Sequence, residues 1–335
     1  MTTTNSATKE KPGFGPGIQK FFTSQEALLF LVIIALGCVM GSINRSFLSP
    51  GNLFGLMNNH AFLAILAIGV LVVLISGGID ISFMATASVA QYIMSLQIIA
   101  HGGNMLEAFL IAAAAGIILG AVNALFIHWL EAQAIIVTIA TMNIFFGALL
   151  VISRGKWLFG FPAWFKPSST SGQWLPFIVA ISVYIATWFL LNHTKTGRKI
   201  YALGGSIEAA KRVGINVLQI RLFIYGFMGM IAGIAATVQA YVIQNISPST
   251  NIGREMDVLA AVVLGGASLL GGKGSVLGTF FGVLIIAIVS NGLILMHISS
   301  YWHTLFIGLI IIASVSMTAY QQRISEERGS AINVQ

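Results

Sequence analysis

The sequence predicts an all-α polytopic membrane protein, and three observations carry that prediction. Of 335 residues, 57% are hydrophobic and only 8% are charged, whereas a soluble domain has about a quarter charged residues. The mean hydropathy is +0.90, so lipid must cover part of a surface that no soluble fold of this length could hide. The apolar runs are also long and continuous. An outer-membrane barrel would instead show short segments of alternating polarity.

The elements follow in order. Residues 1–26 are polar, carry Lys9, Lys11 and Lys20, and form an N-terminal tail. That tail is too long and mixed for a secretory leader, and no A-x-A site follows, so the first apolar run is a retained helix. A spanning helix needs about 20 largely apolar residues. Ten candidates lie near 27–43, 60–77, 83–100, 106–128, 133–152, 175–192, 219–243, 257–272, 275–297 and 301–319. The eighth is short and glycine-rich. The stretch Phe47 to Met57, around Pro50 and Gly51, reads as an interfacial turn or short helix. The membrane domain is thus 27–319, and 320–335 is a C-terminal tail.

Lysine and arginine set the orientation. With the N-terminus in the cytoplasm, the inner side holds Lys9, Lys11, Lys20, Lys195, Arg198, Lys199, Lys211, Arg212, Arg221, Lys273, Arg323 and Arg328. The outer side holds Arg45, Arg154, Lys156, Lys166 and Arg254. The bias predicts both termini inside a bacterial inner membrane. It also explains the net charge of +7 without nucleic acid, because the basic residues lie between apolar runs and form no patch. In the outer loop 153–174, Trp157, Phe159, Phe161, Trp164, Phe165 and Trp174 suit an aromatic interface.

Internal similarity suggests an inverted repeat. Asn123 in "GAVNALFIHW" and Asn291 in "IVSNGLILMH" sit five spans apart, and an odd offset reverses orientation. The segments "ISGGIDIS" and "VLGGASLL" precede them. Small-residue pairs that let helices approach closely in lipid occur at Gly37/Gly41, Gly116/Gly120, Gly229/Gly233 and Gly278/Gly282.

The glycine-dense stretch "VVLGGASLLGGKGSVLG", Val262 to Gly278, raises the question of phosphate binding. A phosphate-cradling loop reads G-x-x-x-x-G-K-[ST]. Here Ala267 stands at the first glycine and Gly274 at the required hydroxyl. The stretch therefore predicts close packing and a tight inner turn, and no nucleotide or other cofactor is expected on this chain. Cys38 is single and matches no metal pattern, and the six histidines form no i, i+4 pair. No nucleophile, base and carboxylate constellation is present, so the chain is not expected to be an enzyme.

Three polar segments remain. "HTKTGRKIYALGGSIEAAKRVGINV", His193 to Val217, is a long inner connection. It predicts a helix from Ser206 to Val213, with Ser206 as N-cap, Glu208 in the first turn and Gly214 as its stop. It reads either as an ordinary basic loop or as a docking element for a cytoplasmic protein. In "SGGIDIS", Asp80 is either the N-cap of a helix starting near Ile81 or an acid lining a pathway at membrane depth. In "NIGREMDVL", Glu255 and Asp257 either favour a helix dipole or meet an extracytoplasmic protein. Within the spans, Gln91, Asn123, Thr138, Thr141, Asn143, Gln239 and Asn291 are available to hydrogen-bond between helices or to face a polar solute.

Taken in order, "VLISGGIDIS", "TGRKIYALGGSIEAAKRVGIN", "EMDVLAAVVLGGASLLGGKG" and "NGLILMHISSYWHTLFIGLIIIASV" resemble the permease subunits of binding-protein-dependent ABC importers of the ribose and simple-sugar type. The resemblance covers about residues 50 to 318. It implies a fold of ten spans with an inverted repeat, as in importers of the vitamin B12 type, and a dimer of permease subunits, identical or different. It implies cytoplasmic ATPase subunits that hold the ATP and magnesium, and an extracytoplasmic solute-binding protein.

The resemblance further implies that 193–218 is the ATPase-coupling loop, with Gly197, Arg198, Tyr201, Gly204, Gly205, Ser206, Glu208, Ala209, Ala210, Arg212 and Gly214 as its residues. Asp80, Ser82, Phe83, Asn123, Asn143 and Asn291 are the expected pathway residues, and Glu255 and Asp257 the expected outer docking contacts. The chain departs from the family pattern at Phe83 and Met84, which replace a small pair, at Ser206 in place of asparagine, and at His303 in place of glutamine. The expected cargo is a sugar or similar small polar solute. The alternatives are a nucleoside, a furanose autoinducer or a branched amino acid on the same machine, or an ion-coupled secondary carrier.

Overall fold

A computed structural model of the protein describes residues 25–167 and 172–299, with individual residues between 301 and 316. The elements are α1 (Gln25–Ile43), α2 (Pro50–Ile75), α3 (Phe83–His101), α4 (Met105–Trp129), α5 (Ala134–Ser153), α6 (Leu175–His193), α7 (Lys195–Gly205), α8 (Ile207–Arg212), α9 (Val217–Ile243), α10 (Glu255–Leu264) and α11 (Val276–Leu295). Among the described residues, eight helical segments are long and apolar enough to cross a membrane. The tenth expected span, 301–319, and both tails fall largely outside the described residues.

Two expectations are corrected. The region 47–57 is no separate interfacial element. A short 3-10 turn, Arg45–Leu48, precedes a 26-residue α2 that begins at Pro50. The Ser49 hydroxyl caps it by accepting from Asn52 N at 3.3 Å, and proline suits a first turn whose amides lack helical partners. The eighth expected span, 257–272, is only the ten-residue α10. It is about 15 Å long at 1.5 Å per residue, half of what a bilayer requires.

α2 forms the centre. From Ala61 to Ile75 every residue except Ala64 is buried, which accounts for a helix apolar all round. α4 and α9 pack antiparallel with almost no side chain between them. A methyl on Gly116 would strike the Gly229 carbonyl, one on Gly120 the Tyr225 carbonyl, and one on Gly233 the Ala112 carbonyl. In the same way Gly278 of α11 meets Gly265 and Gly282 meets Ala261 of α10. Three of the four expected small-residue faces are therefore helix contacts. At the fourth, Gly37 has nothing within 4 Å, and Gly41 meets only the Leu48 side chain.

The α10–α11 register is antiparallel and puts Glu255 beside the middle of α11. Residues 244–254 lead back from the end of α9 to α10. Ile246 pairs with Leu158 in the 153–174 loop, and Asn251 is fully buried. Part of the expected aromatic interface is core instead. Phe165 is fully buried, stacks on Phe161 at 4.9 Å and meets the Tyr241 ring edge-on at 5.6 Å, whereas Trp157 and Phe159 are exposed. On one flank α2, α6 and α11 enclose an apolar lateral cleft of about 600 Å³.

Candidate functional site

The segment 193–218 is built of two helices, not one. Thr194 caps α7 by accepting from Gly197 N at 3.0 Å. Ile200 and Leu203, three apart, are buried against the body with Gly197. That spacing was the available sign of α7. Ser206 ends α7 and caps α8, accepting from Ala209 N at 3.2 Å. Gly214, at φ +78°, leaves α8 in a conformation that suits glycine. Within α8 only Ala210 is buried. Ile207, Glu208, Ala209, Lys211 and Arg212 stand out, followed by Val213 at 75% exposure. Arg198 is exposed and Tyr201 half-buried, its hydroxyl donating to the Gly274 carbonyl at 3.4 Å.

At the same end, the connection between α2 and α3 holds a buried polar cluster. Asp80 Oδ1 accepts from Ser82 N and from the Ser82 hydroxyl, both at 2.7 Å. Asn123 Nδ2 of α4 donates to Ser82 Oγ at 2.6 Å. Thr138 of α5 donates to the Ile79 carbonyl and receives Ile81 N, each at 3.2 Å. Asp80 is therefore not the expected N-cap. α3 starts at Phe83, and Asp80 closes the turn before it. Burial pushes its carboxyl up to about 6 from 3.8, against the lowering by the two Ser82 hydrogen bonds. Asn123 Oδ1 is buried with no hydrogen-bond partner among the described residues.

The other expected pathway residues scatter. Phe83 is packed in the core at 1% exposure. Asn291 exchanges two hydrogen bonds with Asn52 of α2, at 2.9 and 3.1 Å. In this chain Phe83 therefore packs in the core, and Asn291 ties α11 to α2. Asn143 is exposed on α5 and bonds its own helix at the Ile139 carbonyl. Of the expected docking pair, Glu255 is buried and Asp257 half-buried.

A second buried cluster was only partly foreseen. Gln239 Nε2 donates to Asn251 Oδ1 at 2.8 Å, while Gln239 Oε1 accepts from Asn251 at 3.1 Å and from Gln91 at 3.0 Å. Asn251 also donates to Ser88 at 3.3 Å. These bonds hold the returning segment against α3 and α9. Their partners lie as far as 163 residues apart, so no local pattern announces them. Both clusters hold and orient groups across neighbouring helices. Among the described residues no group of three or more His, Cys, Asp or Glu side chains is placed to hold a metal ion.

Residues 52–315 match a family described as the permease component of the branched-chain amino acid transport system. The chain belongs to that permease family. The ribose import permease protein of Escherichia coli strain K12 is similar, at 32% identity over 89% of this chain and 95% of the relative. The autoinducer 2 import system permease protein of Yersinia pseudotuberculosis serotype O:3, strain YPIII, is 30% identical over 86% of this chain and 83% of the relative. No solved structure matches. The permease is thus a multi-pass membrane transport protein, and its polar clusters sit within a helical body made to span lipid.

Proposed function

We propose that this permease is the membrane subunit of an ATP-driven importer for a sugar or similar small polar solute. The observation that carries the reading is α8. A six-residue helix that presents Ile207, Glu208, Ala209 and Arg212 at the surface, next to Val213, offers a compact knob for a groove in a cytoplasmic ATPase. Arg198 and Glu208 supply its charged contacts. Gly197, Tyr201, Gly204 and Ala210 seat it on the body, and Ser206 and Gly214 shape its bends. ATP and magnesium stay on the ATPase subunits.

Cargo arrives from an extracytoplasmic binding protein and passes between this chain and a second permease subunit, which explains the exposed Asn143 on an otherwise apolar face of α5. Asp80, Ser82 and Asn123 form the polar node behind that pathway. Both termini are cytoplasmic, in a bacterial inner membrane. The names of the ribose and autoinducer 2 relatives support a polyhydroxylated cargo.

The test is purification of the tagged permease from its native membrane, followed by reconstitution of what co-purifies. An ATPase subunit should travel with it, and ribose uptake into vesicles should require ATP. Arg198→Ala or Glu208→Ala should lower uptake tenfold or more while hydrolysis continues. Uptake driven by an ion gradient without ATP would sink the reading.

A further inference from the structure

We infer that Gly204 is a positioning residue that locks the α7–α8 segment to two membrane connections at once; this rests on the importer reading above. Gly204 is the penultimate residue of α7. A methyl there would collide with the Ile75 carbonyl at the end of α2 and lie 2.7 Å from Gly272 N in the α10–α11 connection. Those two connections are themselves bonded, Gly272 N donating to the Ile75 carbonyl at 2.8 Å. A methyl on Gly271 would lie 2.7 Å from both the Gly204 carbonyl oxygen and Gly77 Cα. Three backbones therefore meet with no side chain between them.

Side chains absorb small displacements by changing rotamer, but backbone atoms in direct contact have no such slack. Close-packed interiors transmit strain for the same reason. A push on α8 thus reaches both connections together. From Ile75 the chain runs within seven residues to Ser82, which bonds Asp80 and Asn123. From Gly272 it runs into α11, whose N-cap is Ser275. Tyr201, one turn back on α7, adds a tie to the Gly274 carbonyl. The joint links the ATPase-facing helix to α4 through one arm and to α11 through the other.

The sequence supplies an internal control. Gly205, the next residue in the same helix, has nothing within 4 Å of an added methyl. Alanine favours helix at both positions, so only the contact distinguishes Gly204→Ala from Gly205→Ala. On the purified permease alone, hydrogen exchange should rise together at 75–80 and 268–275 in Gly204→Ala and stay unchanged in Gly205→Ala. Unchanged exchange in Gly204→Ala would overturn the joint, whatever the protein transports.

In vesicles with its ATPase subunits, Gly204→Ala should still assemble and hydrolyse ATP while ribose uptake per ATP falls about tenfold. Normal uptake per ATP, or an equal loss in Gly205→Ala, would overturn the inference. If Gly204→Ala does not fold, Tyr201→Phe removes only one tie and should lower uptake per ATP about threefold; an unchanged ratio counts against the joint. Failure of the wild type to couple ATP to uptake would defeat the importer reading, and the exchange result would still decide the joint.

Discussion

Asp80 shows how one side chain can serve geometry and charge separately. Both of its hydrogen bonds end on the same oxygen, Oδ1. An asparagine carbonyl can accept both, so Asp80→Asn keeps the turn and removes only the charge. Asp80→Ala removes the acceptor and leaves two buried donors to find others, at a cost of about 1–3 kcal/mol. The two variants should therefore part in thermal unfolding, with Asp80→Ala melting lower. The folded carboxyl titrates at about 6, above 3.8, so the folded state holds its proton where the unfolded state has lost it. Its stabilising contribution is complete below 3.8 and is lost as pH rises through about 6. The detergent-solubilised protein should unfold more readily as pH rises over that window, and the Asp80→Asn variant should lack that slope. Asp80 was legible as an unusual acid because a carboxylate between two apolar runs is costly. Its partners Asn123 and Thr138 were legible only as polar residues in spans, because their pairing depends on how α4 and α5 pack.

At the scale of elements, the small-residue spacing was readable because close approach in lipid demands it. It could not say which face meets which. Gly229→Ala forces a methyl against the Gly116 carbonyl and should destabilise the protein by about 1–3 kcal/mol as overpacking does. Gly226→Ala, in the same helix with nothing within 4 Å, should unfold like the wild type or at a higher temperature. Equal melting of the two variants would contradict the α4–α9 packing. The length of α10 was misjudged for an instructive reason. Apolar residues continue past Leu264 through Leu269 and Leu270, so hydropathy sees one long run. The chain turns there because Gly266, Gly271 and Gly272 adopt positive φ, and a hydropathy window has no term for that. α7 went unread because its apolar face is narrow, resting on Ile200 and Leu203, and because three of its eleven residues are glycine.

For the whole molecule, composition and charge fixed the class and the family motifs pointed to transport, while internal pairing across the fold came only with the structure. The brevity of α10 has a consequence for how the protein enters the membrane. α9 and α11 run in the same direction, so the chain between them must cross back. It does so with an irregular stretch of 244–254 and a helix of ten residues. Such a segment is too short for the insertion machinery to recognise as a span by hydrophobicity alone. Its irregular half is tolerated at depth only where protein surrounds it, here through Gln239, Gln91 and Ser88. Insertion of 244–274 must then wait for α11 to supply the glycine face at 278 and 282. A chain truncated after Gly274 should leave a cysteine placed at Lys273 reactive from the opposite side of the membrane to the one it faces in the full-length protein. Reaction from the same side in both would show that the segment crosses unaided.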